Sequence, residues 1–228
     1  MVPTLVVGVG IAGAVTLRPF LSDDADQTSA AAPDFKGYVA SDMRDRMITS
    51  AESVLGKSIP DTANPKFVAG TAEFQELEQA NYADADYMNV LFGDKASHSV
   101  QLYSGHTSDA PNPNAYCWGI DTGRQVSCEV EKLSSGASMV TTVTPFLRAP
   151  EFGRGKFKMV DYRTLSQNDL ANIDVERAVR VIHPGGFEIM VTERIAGPSS
   201  LDDDAFSVPS DAMEKLASEA TLAIPRPR

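Results

Sequence analysis

Three histidines, two cysteines and a scatter of carboxylates are the side chains here with chemistry beyond packing. His98, His106 and His183 fall in no HExxH or other zinc-ligand spacing. Asp94 and Asp109 lie near the first two in sequence, so any metal or acid–base cluster would have to be assembled by the fold. Solvated loop histidines are the plainer reading. A serine nucleophile needs a strained elbow such as GxSxG. The serines in 134–138, SSGAS, read as a loop instead. Asp202, Asp203 and Asp204 could attract Ca²⁺, but they lack the twelve-residue order of an EF-hand loop. They read as a solvated loop before the last helix. Gly8, Gly10 and Gly13 match the glycine spacing of a dinucleotide fingerprint. That fingerprint works only when a helix follows and aims its N-terminus at pyrophosphate. Pro19 and an acidic, alanine-rich stretch cut such a helix short, so neither nucleotide nor any other cofactor is expected, and no metal.

Cys117 and Cys128 are the only cysteines. Asp121, Thr122 and Gly123 between them are strong turn formers. If 121–124 is the loop of a hairpin, the two cysteines stand opposite each other, within disulfide reach. A disulfide is the reading taken. The spacing is not Cys-x-x-Cys, so a thiol redox motif is not indicated.

The remaining candidate is a recognition surface. The loop over 104–114 is rich in Asn, Asp and Pro, and aromatic residues follow it. His106, Asp109, Asn112, Asn114, Tyr116 and Trp118 are its candidate contacts. The competing reading places Trp118 in the core.

These residues need elements to hold them. The chain has 228 residues, enough for one good-sized domain, and 14 prolines with 16 glycines point to many turns. Net charge is -11, which repels nucleic acid unless a basic patch intervenes. Arg154, Lys156 and Lys158 are too few to form one. Residues 1–21 read as a hydrophobic membrane anchor or signal segment, because 2–21 carry only Arg18 as a charge over about 30 Å of helix. A cleaved signal peptide, or a buried first strand and helix, are the alternatives. No Lys or Arg precedes the apolar run, so the positive-inside rule has little to act on. Residues 22–34 read as an acidic tether, 35–223 as one α+β domain and 224–228 as a loose tail.

Apolar residues at spacings of three and four predict helices over 37–56, 71–81 and 209–221. Alternation and β-branched content predict strands over 99–103, on both sides of the cysteine turn, and over 138–146, 156–162, 175–183 and 187–195. The expected architecture is an antiparallel sheet of about six strands in a meander, packed by N- and C-terminal helices. The expected function is an exported or envelope-anchored accessory protein, extracytoplasmic, held at the membrane through residues 2–21, binding an unknown protein or envelope ligand. An extracellular hydrolase built from dispersed acidic and histidine residues is the alternative, and a subunit of a surface assembly the third.

Overall fold

The computed structural model describes residues 37–60, 64–73, 75–94, 97–107, 112–147, 158–184 and 186–225. Its frame is an antiparallel sheet of eight strands: β1 (Lys66–Gly70), β2 (Tyr87–Asp94), β3 (His98–His106), β4 (Ser127–Lys132), β5 (Ser138–Leu147), β6 (Lys158–Met159), β7 (Ile173–His183) and β8 (Phe187–Ala196). The order across the sheet is β1-β2-β3-β8-β7-β5-β4, with β6 on the end of β5. Chain neighbours pair locally in β1-β2-β3, β4-β5 and β7-β8. Two long-range pairings, β3 with β8 and β5 with β7, close these units into one sheet.

Two helices cover one face. In α1 (Met43–Leu55), Met43, Met47, Ala51 and Leu55 recur every fourth residue and are all buried. That spacing places them in one stripe. Gly56 ends the helix with a positive φ of 55°, a conformation that suits a residue without Cβ. In α2 (Ser210–Ala217), Met213, Leu216 and Ala217 are buried. Pro209 precedes its first turn, where the missing N–H costs no helical bond. Both stripes join a core with Met88, Val90, Phe92, Val100, Leu102, Val179, Val181, Ile189 and Val191. These strand residues alternate along their strands, so they share one face of the pleat. Each such side chain stabilises the fold by roughly 1.5–3 kcal/mol on full burial.

Several expectations need correction. The sheet has eight strands, not about six, and it is not a simple meander. The two strands not foreseen are β1 and β2. The predicted helix over 71–81 is absent: Thr71 N–H donates to Gln75 O, Leu77 N–H donates to Ala69 O, and Glu76 bridges Gly70. Those backbone groups turn back onto β1 and so cannot form helical bonds; a 3₁₀ turn follows at Gln79–Asp84. The cysteine hairpin is also absent, because Pro113–Cys117 is a 3₁₀ turn rather than a strand.

The membrane reading is withdrawn as well. Among the described residues no helix is long and apolar enough to cross a membrane. The longest, α1, has 13 residues, whereas a span needs about 20. The membrane anchor, the membrane as a partner and the membrane-anchored localisation therefore find no spanning helix among the described residues. Residues 2–21, on which that reading was placed, lie outside the described residues.

Candidate functional site

The face of the sheet away from the helices carries the alternate residues of each strand. Across β5, β7 and β8 these are Val140, Thr142, Thr144 and Phe146, then Glu176, Ala178 and Arg180, then Glu188 and Met190. The segment 113–125 lies over this face as a strap. The Cys117–Cys128 disulfide ties it to β4, with the two Cα atoms 5.5 Å apart. Gln125, buried, fastens it from within: its Oε1 accepts from Gly119 N–H at 3.0 Å and its Nε2 donates to Tyr116 O at 2.7 Å. At its turn, Tyr162 N–H donates to Gly123 O at 2.8 Å, and the Asp161–Arg163 ion pair packs against Gly123. Gly123 has φ 66°, and a Cβ there would lie 2.1 Å from Asp161 Oδ1.

Tyr116 pins the strap to the middle of the sheet. Its hydroxyl donates to Glu188 Oε2 at 3.1 Å, and the Arg180 guanidinium stacks 4.2 Å from its ring centroid. Arg180 also pairs with Glu188 and reaches Met190 Sδ at 3.0 Å. Burial, then the Glu188 carboxylate, push the Tyr116 phenol above its ordinary pKa, so it stays a donor at neutral pH. Next to it, Tyr103 is pushed up to about 12 by burial and by Glu188. Tyr103 stacks on Tyr87 at 6.0 Å between centroids.

Beneath the strap is a pocket of about 480 Å³. Tyr116 and Trp118 come from the strap, Thr142, Thr144 and Phe146 from β5, Met159 from β6, Glu176, Ala178 and Arg180 from β7, and Met190 from β8. Trp118 is 51% exposed at this site, which contradicts the reading that placed it in the core.

The proposed recognition surface therefore divides. Tyr116 and Trp118 belong to the pocket. Asn112 Oδ1 accepts from Asn114 N–H at 3.1 Å and caps the 3₁₀ turn, a local structural duty for both residues. His106 ends β3 on the helix-covered side, where its Nε2–H donates to Pro225 O at 3.1 Å. Asp109 lies outside the described residues. The sequence reading missed Arg180, Glu188, Met190, Thr142 and Thr144. Their only signal was period-two alternation within strands whose neighbours are distant in sequence.

The histidines do not converge. His98 and His106 stand at opposite ends of β3, about 26 Å apart along an extended strand. His183 stacks on Phe187 at 4.4 Å between ring centroids. Among the described residues no three metal-ligating side chains group together. On the helix side, Glu193 is fully buried and accepts from Ser207 Oγ at 2.7 Å, while His98 Nε2 lies 2.9 Å away. Ser207 Oγ is 3.3 Å from the same His98 nitrogen. A serine–histidine–acid relay uses the two ring nitrogens separately, with serine on one and the acid on the other. Here the carboxylate takes both the hydroxyl and that nitrogen, along with Arg177 at 3.2 Å. The cluster thus ties the 203–208 loop to β7 and β8.

The chain matches no family model, no curated protein and no solved structure, so its functional assignment rests on this geometry.

Proposed function

We propose that the protein is a binding module and that the strap-covered pocket is its ligand site. One observation carries the reading: a concave site of about 480 Å³ whose lining combines aromatic and thioether walls with hydroxyl groups, and whose rim holds the half-exposed Trp118. Concave sites with apolar walls and a few oriented polar groups are where small molecules bind. The covalent and hydrogen-bonded ties of the strap support it further, because a pre-formed wall loses little entropy when a ligand enters.

The test is a titration with N-phenyl-1-naphthylamine, an uncharged dye that brightens in apolar sites. Its readout is energy transfer from Trp118, the only tryptophan of the chain. Saturable transfer is expected, and Ala178→Phe, which fills the floor from β7, abolishes it. Saturable binding that Ala178→Phe leaves unchanged puts the site elsewhere and refutes the proposal.

A further inference from the structure

We infer that the ligand of this pocket is an uncharged ring system with a hydroxyl or carbonyl group along one edge. The inference rests on the pocket being the binding site and adds the chemical class of its occupant.

The arginine that lines the pocket is already matched within the protein. Arg180 is held by Glu188, and Glu188 receives the Tyr116 hydroxyl as well. Glu176 stands opposite Arg194 in the β7–β8 register, and Arg194 pairs with Asp174 at 2.5 Å. An anionic ligand would have to draw Arg180 away from Glu188. A cationic ligand would have to draw Glu188 from Arg180, or sit beside the Arg194 cation that stands opposite Glu176 across the β7–β8 register. Breaking a largely buried pair leaves one charge uncompensated, at a cost that a single new contact does not recover. A neutral ligand leaves the Arg180–Glu188 and Arg194–Asp174 pairs intact.

The walls point to rings. Trp118, Tyr116 and Phe146 present aromatic surfaces, and Met159 and Met190 present polarisable thioethers that pack well against aromatic edges. The polar edge follows from what remains unused. Gln125 spends both ends of its amide on the strap. Thr142 and Thr144 stand two residues apart on β5, on the pocket side of the pleat, and among the described residues no side-chain hydrogen bond engages their hydroxyls. Those hydroxyls supply donors and acceptors in a row along one side.

Calorimetric titration of the full chain at pH 7 with 2-naphthol, naphthalene, 2-naphthoate and 2-naphthylmethylammonium tests this. All four share one ring system and differ in charge or in the polar group. The expected order has 2-naphthol tightest, naphthalene about tenfold weaker for want of the hydroxyl, and both ions more than tenfold weaker than 2-naphthol. Thr142→Val with Thr144→Val keeps the β-branched shape and brings 2-naphthol down to the level of naphthalene, whose own affinity stays the same. An ion binding as tightly as 2-naphthol, or a 2-naphthol advantage that survives the valine pair, overturns the inference and leaves the pocket standing as a site. Absence of binding by all four overturns the inference and the pocket together.

Discussion

Replacing Glu193 by glutamine is a sharp test of how the sheet is held to its covering layer. Glu193 is 0% exposed and accepts from Ser207 N–H at 2.8 Å, Ser207 Oγ at 2.7 Å and Val208 N–H at 3.1 Å. It also faces Arg177, 3% exposed, at 3.2 Å. Glutamine keeps the shape and one acceptor oxygen but removes the charge. Arg177 is then a buried cation that keeps its hydrogen bonds to Val208 O and Ser210 Oγ, and whose remaining carboxylate partner among the described residues is Asp203, 81% exposed and 3.8 Å away. Breaking a buried pair from one side costs about 3–5 kcal/mol. For a domain of this size that lowers Tm by roughly 6–20 °C. It is a large part of a total stability on the order of 5–15 kcal/mol. Urea and thermal unfolding followed by circular dichroism measure it. The neutral pair Arg177→Met with Glu193→Gln recovers at least about 2 kcal/mol, because no unpaired charge stays buried. A Glu193→Gln variant within about 1 kcal/mol of the parent, or a double variant no more stable than Glu193→Gln alone, refutes the reasoning.

Other outcomes follow from the same structure. His183 is half-buried, its Nε2 is buried with no hydrogen-bond partner among the described residues, and burial lowers its pKa from 6.5 to about 4. The unfolded chain therefore takes up a proton first as pH falls, so stability present above pH 6.5 declines toward pH 4; this contributes about 1–2 kcal/mol after allowing for solvent screening, and His183→Gln flattens that part of the pH–stability curve. Burial pushes the Glu193 carboxyl up, but the donors from His98, Ser207 and Val208 outweigh it and hold it below its ordinary value. Its contribution is present above the unfolded-state value and lost as pH falls through the lower folded one, so Glu193→Gln removes an acidic step of the same curve. Reducing Cys117–Cys128, which are 11 residues apart, costs about 3 kcal/mol in the chain-entropy model, measured as the shift of the urea midpoint with and without dithiothreitol. Gly123→Ala strains a positive-φ turn and clashes with Asp161, lowering stability by at least about 1 kcal/mol and increasing acrylamide quenching of Trp118 as the strap loosens.

What the sequence made legible was mostly local. Met43, Met47 and Ala51 announce α1 by spacing alone. Val179 and Val181 alternate with Arg180, and the Pro184 turn separates β7 from β8. Turn chemistry also brought out the bond between Cys117 and Cys128, although the structure reaches it from a 3₁₀ turn rather than a hairpin. What stayed hidden was non-local. β1 is short and flanked by polar, proline-containing sequence, so its identity depends on pairing with β2. The pocket draws Tyr116 from one part of the chain and Arg180, Glu188 and Met190 from another, joined by the β5–β7 and β7–β8 registers. A linear pattern carries no record of those registers. The long apolar run at the N-terminus invited a membrane reading that no described helix supports.

The indole N–H of Trp118 gives a single side-chain tryptophan resonance, since the chain has one such residue. Following that resonance by nitrogen–proton correlation during a 2-naphthol titration tests the pocket most directly. The account predicts a saturable shift in the parent protein and none in Ala178→Phe. A resonance that stays in place while calorimetry records binding, or one that moves equally in both proteins, contradicts it.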